Sequence, residues 1–382
     1  MSKVDGMVAA PPPFRSLVSL DISVFGTQHL DSLETFIDLV SGFSRNLRTL
    51  SIDLNMPGIL RRMRPDVKFC ASFSGSLCNW QNLQTVDCGN VALQADALAH
   101  LSRMPTLARL NITPTTPLPA PLSFSDLPAF QLNSRSLAPV SQFLSSIRLP
   151  AATEFTVVIE ARFSKQDLDS FFSSVQASVV VDVVQELTLQ EDEKYDYRDT
   201  TTLDFEDMRP CMAFDHLRRL TVNVSWVVLL KDNELLRLAS AWPRLEELLI
   251  NEHSGWVTSG ITPNGLLELL QTCRSLRKIA LAINTEVSAD LKEWPQSLGL
   301  TFPPTLSINF LDSHVDAEDI PAMVSFVSCI ARGCDLSIRA FRVVQLPENW
   351  KHWYEVCKRA KEVVGQHGHL VIDSALHGSY RF

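Results

Sequence analysis

The sequence predicts an α/β solenoid in which short parallel strands alternate with helices. Three observations predict it: an aliphatic pattern that recurs along the chain, helical periodicity between its occurrences, and a length of 382 residues. A single globular core usually stops growing near about 250–300 residues, so a chain of this length forms either two globules or one array whose core lengthens by repetition. The recurring pattern favours the array.

The pattern is an aliphatic residue followed by a second one three positions later and a third two positions after that, as in Leu217, Leu220 and Val222. Nine stretches follow it, of which the fifth is degenerate, and they begin at residues 17, 47, 83, 107, 152, 184, 217, 245 and 276. Most of them carry a further apolar residue three positions upstream, which argues against chance. These upstream residues are Phe14, Trp80, Met104, Val181, Phe214, Trp242 and Cys273.

Such a pattern is typical of leucine-rich repeats, in which the middle of the motif is a short strand whose alternate side chains enter a shared core. One strand cannot bury that face alone, so the units stack. The spacing runs from 24 to 45 residues, which exceeds the usual range of about 20–29 and indicates insertions. We therefore expect a leucine-rich-repeat solenoid, an irregular horseshoe with strands on the concave face and helices on the convex face.

Helical spacing of apolar residues separates the strands, for example from Leu30 to Val40, and Pro263 marks a helix start. We expect residues 1–13 to be a disordered segment and residues 14–302 to form the repeat array. Residues 303–382 are predicted to hold degenerate repeats and a C-terminal cap. Within that cap we expect a helix over 317–332 interrupted by Pro321, a helix capped by Asn349 and ended by Gly365, and a strand over 370–372.

Composition excludes several functional classes. The net charge is −9, whereas a nucleic-acid binder normally presents a basic face. The basic cluster of Arg61, Arg62, Arg64 and Lys68 is interpreted as a solvated loop. Eight cysteines without a CxxC pair lack zinc-ligand spacing and favour free thiols in the cytoplasm or nucleus. No apolar run is long enough to span a bilayer, so neither nucleic acid nor membrane is an expected partner.

The sequence contains no HExxH, EF-hand or GxSxG motif. We therefore expect no catalytic residue, no metal and no cofactor, and we predict that the chain is not an enzyme. An acidic stretch at residues 191–207 is interpreted as a solvated loop, and the alternative is a docking site for a basic partner segment.

Several strings resemble the repeats of the F-box/leucine-rich-repeat family, in particular its divergent fungal members. They are FDHLRRLTV, WPRLEELLI and CRSLRKIALAIN, and the resemblance covers roughly residues 14–284. It implies a non-catalytic scaffold that holds a protein substrate for a cullin ubiquitin ligase. We find no Leu-Pro-x-Glu-like F-box stretch, so a Skp-type adaptor is an expected partner only if an F-box lies outside this chain. The alternative function is regulation of an enzyme, as in GTPase-activating repeat proteins.

The binding site for the partner is predicted on the concave face. Period-2 alternation sends the residues before, between and after the core positions of each strand to that surface. Arg219 and Leu249 are not expected to be core residues. We therefore expect Arg219→Glu combined with Leu249→Arg to abolish partner binding and to leave stability nearly unchanged. The predicted protein-binding residues are Asp53, Asp87, Arg109, Asn111, Arg219, Thr221, Asn223, Glu247, Leu249, Asn251 and Lys278.

Overall fold

The structure is a computed structural model of the chain. The structure describes residues 16–25, 29–55, 67–115, 118–191, 201–252, 259–286, 302–339, 347–365 and 369–372. Residues 1–183 and 184–382 form two compact units, called here the N-terminal and C-terminal units. The predicted disordered segment, Phe14 and the three arginines of the basic cluster lie outside the described residues.

The N-terminal unit alternates strands with helices. Its strands are β1 (Ser19–Phe25), β2 (Thr49–Asn55), β3 (Thr85–Ala92), β4 (Arg109–Thr113), β5 (Leu122–Ser123), β6 (Ala129–Ser134), β7 (Ile147–Arg148) and β8 (Glu154–Ile159). Its helices are α1 (Leu30–Phe43), α2 (Val67–Leu77), α3 (Ala95–Ser102), α4 (Leu137–Ser145) and α5 (Lys165–Ser178). Six of the strands pair in parallel in the order β1-β2-β3-β4-β6-β8, and β5 pairs separately with β7.

The C-terminal unit repeats the same alternation. Its strands are β9 (Glu186–Glu191), β10 (Thr202–Leu203), β11 (Arg219–Asn223), β12 (Val227–Val228), β13 (Glu247–Ile250), β14 (Lys278–Ala280), β15 (Thr305–Asn309), β16 (Asp335–Arg339) and β17 (Leu370–Ile372). Its helices are α6 (Phe205–Met208), α7 (Asp232–Ala241), α8 (Pro263–Thr272), α9 (Ile320–Ala331) and α10 (Pro347–Val364). Seven strands pair in parallel in the order β9-β11-β13-β14-β15-β16-β17, so the strands beyond residue 303 continue the stack.

The predicted leucine-rich-repeat fold is confirmed, because the aliphatic positions of successive motifs stand in register and are buried. In the N-terminal unit one continuous row of paired core residues runs through Leu20, Leu50, Val86, Leu110, Phe130 and Phe155. The corresponding row of the C-terminal unit runs through Leu187, Leu220, Leu248, Ile279, Ile308 and Ile338. Among the described residues, consecutive helices such as α1 and α2 or α4 and α5 pack against one another, and the alternate strand residues point away from the buried core rows.

All nine stretches recognised in the sequence form strands, but two repeats were missed. Strand β6 belongs to a unit with Leu127, Phe130 and Leu132, all of them buried, and an aromatic residue at the second position hid it. This unit divides the longest gap between motifs. Strand β15, with Leu306 and Ile308 buried, lies in the part of the chain that was expected to be degenerate.

Helix boundaries follow the local chemistry, with two corrections near the C-terminus. Helix α8 begins at Pro263, as predicted, and Thr262 caps it by accepting a hydrogen bond from the Gly265 amide. Pro321 does not interrupt α9 but occupies its first turn, where the missing amide proton has no helical acceptor to lose. Helix α10 already begins at Pro347, so Asn349 is a helical residue and not a cap. Gly365, with φ of 63°, ends that helix as expected.

We predict that Leu248→Asp unfolds the C-terminal unit. Leu248 is fully buried in the paired core row, and an unpaired carboxylate there costs several kcal/mol, on the order of 3–5. Leu229→Asp is the matched control, because Leu229 is 42% exposed in the same unit. Urea unfolding followed by circular dichroism measures both variants. Equal midpoints for the two would show that the inward register is wrong.

Candidate protein-interaction face

The candidate site in the N-terminal unit is the sheet surface opposite the helices, called here the N-terminal free face. Alternate strand residues point to it because the intervening ones fill the core. In-register pairing places its side chains in rows across the strands, and strand spacing of about 4.8 Å brings neighbours within reach of each other. One row runs through Asp21, Ser51, Asp87, Asn111, Gln131 and Thr156.

A cluster of amides and carboxylates occupies the centre of this face. Asn111 donates a hydrogen bond from Nδ2 to Oδ1 of Asp87 at 2.7 Å. Gln131 donates to Oδ1 of Asn133 at 3.0 Å, and Asn90 donates to Oδ1 of Asp53 at 3.4 Å. These hydrogen bonds join β2 to β3 and β3 to β4, while the Gln131–Asn133 bond lies within β6.

The sheet surface of the C-terminal unit that is opposite its helices carries an ion-pair network instead. Arg219 reaches carboxylates on both neighbouring strands, with Nη1 at 3.0 Å from Glu186 Oε1 and Nε at 3.4 Å from Glu247 Oε1. Arg277 continues the network, with Nη2 at 2.8 Å from Glu246 Oε2. The network contains three carboxylates and three guanidinium groups, those of Glu186, Glu246, Glu247, Arg218, Arg219 and Arg277.

This network leaves little free charge for a partner. The carboxylates are the less exposed members: the Glu246 side chain is 16% exposed and that of Arg277 is 48% exposed. Lys278, beside the network, pairs through Nζ with Glu252 Oε1 at 3.4 Å. The network and the Lys278–Glu252 pair together carry no net charge.

Of the sequence-predicted binding residues, seven are accessible. Arg109 is exposed and lies 4.0 Å from Glu154 through Nη2, while Thr221 is half-buried. Asp87 is joined to Asn111, and Arg219 is joined to Glu247. The accessible residues are Asp53, Asp87, Arg109, Arg219, Thr221, Glu247 and Lys278.

The predicted exposure of Asn223 and Asn251 is wrong, because both side chains are buried and bind backbone. Asn251 is fully buried, accepts from the Val224 amide at 2.8 Å and donates to the Trp226 carbonyl at 2.9 Å. Asn223 accepts from the Glu252 amide at 2.8 Å. Strict alternation fails here because the strands end, and the buried backbone groups of the turns need partners. Asn251 also has a φ of 53°, a left-handed conformation that asparagine tolerates better than most residues.

The predicted exposure of Leu249 and Asn111 is wrong as well. Leu249 is 7% exposed and lies between buried Leu248 and Ile250, so both faces of β13 are covered. The sequence contained the signal, since strands buried on both faces read as continuous apolar runs, and the runs here are LLI and IALAI. Asn111 is buried beside Asp87.

Sequence reasoning also missed side chains that the structure adds to these surfaces. Cross-strand spacing makes Glu186 a neighbour of Arg219, but nothing in a single sequence fixes that register.

In the acidic stretch, residues 192–200 lie outside the described residues. Two later members are helix caps, since Asp204 and Asp207 form a reciprocal capping box at the start of α6. The docking alternative for this stretch therefore loses two of its carboxylates.

The cysteines are all free, and most are poor nucleophiles. Burial raises the pKa of Cys273 and of Cys357 to about 12, and it raises the pKa of Cys88 and of Cys211 still further. A thiol reacts as its thiolate, so these side chains are inert core residues near neutral pH.

Within the described ranges no cluster of His, Cys, Asp or Glu is arranged to hold a metal ion, and no helix is long and apolar enough to cross a membrane.

No protein-family model matches the sequence, and a search of curated protein sequences finds no match. Several solved structures are similar, and two of them serve as examples. One is the leucine-rich repeat-containing protein LegL7 from Legionella pneumophila, with 11% identity, a TM-score of 0.33, and coverage of 92% of this chain and 90% of that chain. The other is the yeast Rad7 and Elc1 complex, with 14% identity, a TM-score of 0.34, and coverage of 83% of each chain. These scores are low, so the fold assignment rests on the strand register and the burial of the motif residues.

We predict that Asn251→Ala destabilises the chain more than Asn251→Gly. Both substitutions remove two side-chain hydrogen bonds to buried backbone, a loss of about 2–4 kcal/mol. Alanine also carries a Cβ into the left-handed conformation, which adds about 1 kcal/mol. Denaturant unfolding gives both free energies. If alanine proved equal to or better than glycine, the left-handed turn at this position would be wrong.

The structure reverses the expectation that Arg219→Glu and Leu249→Arg are neutral for stability. Leu249→Arg places an unpaired charge at a buried site and is expected to cost about 2–5 kcal/mol. Arg219→Glu sets a third carboxylate between Glu186 and Glu247 and is expected to cost about 1 kcal/mol, given its partial exposure.

Arg209→Glu is the matched control for the charge reversal, because Arg209 has an exposed partner one helical turn away in Glu206. Its loss of stability, measured by urea unfolding, should be smaller than that of Arg219→Glu. Equal losses would contradict a cooperative network at Arg219. A Leu249→Arg variant as stable as the unmodified chain would contradict the burial of that strand on both faces.

Proposed function

We propose that the chain is a non-catalytic scaffold that binds a partner protein on the N-terminal free face. The observation that carries the proposal is the accessible polar surface built on six in-register strands, with Asp87, Gln131 and Thr156 in one row. Side chains on paired strands are held in place before a partner arrives, which lowers the entropy lost on binding. The self-neutralised network of the C-terminal unit makes that surface the weaker candidate.

A finer function is favoured by the resemblance of the repeats to the F-box/leucine-rich-repeat family. In this form the scaffold recognises a substrate of a cullin ubiquitin ligase. A Skp-type adaptor then binds only through an F-box outside this chain.

We predict that a photo-cross-linker on the N-terminal free face captures a specific partner. Benzoylphenylalanine replaces Ser51 or Thr156, which are half-buried residues of β2 and β8 that face away from the helices. Gln166, exposed on α5, takes the same residue as the control. After irradiation in cells, mass spectrometry should find one protein attached at both free-face positions and not at position 166.

Capture at position 166 alone would place the interaction on the helices and end the proposal. The finer function adds a separate requirement. The captured protein should carry ubiquitin chains when proteasomes are inhibited. A captured protein free of ubiquitin would support the scaffold function and contradict the role in a ubiquitin ligase.

A further inference from the structure

The N-terminal free face has an excess of negative charge. Its six paired strands carry four carboxylates, those of Asp21, Asp53, Asp87 and Glu154, against the single guanidinium of Arg109. Arg109 is associated with Glu154, at 4.0 Å. In the part of the chain that the structure describes, neither Asp21 nor Asp87 has an ion pair. The centre of the face therefore attracts cations and repels anions such as nucleic acid.

A local irregularity of β3 lies at this acidic centre. The pairing of β3 with β4 shifts register between Cys88 and Ala92, and such bulges often re-aim side chains at functional sites. Gly89 lies in the bulge, and a Cβ there would overlap Nδ2 of Asn133. Glycine in a strand interior often marks such a close approach. The bulge thus makes room for the amide cluster beside Asp87.

A buried hydrogen-bond acceptor completes the site. Asn111 is 9% exposed and donates from Nδ2 to Asp87, while its Oδ1 atom has no hydrogen-bond partner among the described residues. The opposite amide orientation would set Oδ1 against the Asp87 carboxylate, so the hydrogen-bond geometry fixes the assignment. A buried acceptor without a partner is destabilising, because it has lost its hydrogen bond to water without gaining another. An incoming donor that reaches Oδ1 would recover that free energy.

We propose that the cluster of Asp53, Asp87 and Asn111 binds the guanidinium group of an arginine in a basic segment of a partner protein. The inference rests on the proposed function, since it names the chemistry of the partner on the same face. The cluster presents acceptors on three adjacent strands, and guanidinium is a planar group with five donors and no acceptor. Gln131, the in-register neighbour of Asn111, is the side chain that moves aside on binding.

Lysine satisfies the site less well than arginine does. Its ammonium group concentrates three donors on one atom and is more strongly hydrated. It pairs with one carboxylate at a time and does not bridge acceptors on neighbouring strands. The site is therefore expected to discriminate between the two cations, whereas a diffuse acidic surface does not.

The test measures binding of a fluorescein-labelled Gly-Arg-Gly-Arg-Gly peptide to the full chain by fluorescence anisotropy at low ionic strength. Matched peptides carry lysine or glutamate in place of arginine. The arginine peptide should bind most tightly and the glutamate peptide should not bind. Asp87→Asn should weaken the arginine peptide about tenfold or more, because it removes a charge-assisted hydrogen bond.

Two further variants separate the site from general charge. Asn111→Leu keeps every carboxylate but removes the buried acceptor, and it should also weaken arginine binding. Asp169→Asn removes an exposed carboxylate on α5 and should leave the dissociation constant within about twofold, because a single distant charge is largely screened. Urea unfolding of each variant confirms that it is folded.

Equal binding of the arginine and lysine peptides would overturn the inference, as would equal effects of Asp87→Asn and Asp169→Asn. Failure of the arginine peptide to bind would also overturn it, while cross-linking from position 156 would still support the scaffold. If cross-linking from position 156 failed while the arginine peptide still bound, the scaffold proposal would fall and the arginine site would stand. The inference and the proposed function therefore fail in distinguishable ways.

Discussion

The structure depends on the burial of each strand's inward row against the row of the next strand. Leu50 and Val86, paired on both sides within the N-terminal unit, are fully buried. Leu20, on the strand that begins the order, keeps 8% of its surface exposed, and Val24 keeps 9%. The same residue types at the same motif positions are thus more exposed where the stack begins. Burial here is a property of neighbouring repeats rather than of any one repeat, which explains why the spacing between motifs varies while the buried positions of the motif stay apolar.

Stacking in turn requires that the chain leave each strand without exposing buried backbone. In the C-terminal unit, asparagine side chains meet that need where strands end: Asn223 and Asn251 accept hydrogen bonds from amides of neighbouring turns. Asn309 does the same for the Leu311 amide at 3.1 Å. An amide side chain suits this place because one end accepts and the other donates. These asparagines consequently belong to the core of the repeat and not to its binding surface.

The fold was largely predictable because one short pattern determines both strand position and register. Even the missed unit at Leu127 fits that pattern once phenylalanine is allowed at its second position. The site was less predictable, because alternation decides which face a residue takes but not whether that face is covered. Leu249 alternates as expected and is nevertheless buried. Ion pairs such as that of Arg219 with Glu186 join residues far apart in sequence. Which acid meets which base depends on the strand register, and the pattern gives that register only after every intervening repeat has been recognised.

The sheet surfaces of the two units, each described by itself, illustrate that similar backbones support different electrostatic surfaces. Across β9, β11, β13 and β14 of the C-terminal unit, acids and bases alternate from strand to strand, so in-register pairing brings opposite charges together. In the N-terminal unit, the first three strands contribute Asp21, Asp53 and Asp87. Their in-register partners are serine or asparagine, Asp53 lies diagonal to both other carboxylates, and Arg109 lies diagonal to Asp87. Parallel register therefore accumulates like charge there. Repulsion between those carboxylates opposes their clustering, and the proposed cationic partner would relieve it. The strand register that aligns the core residues thus also determines which surface keeps uncompensated charge, and therefore where binding of an oppositely charged group is favourable.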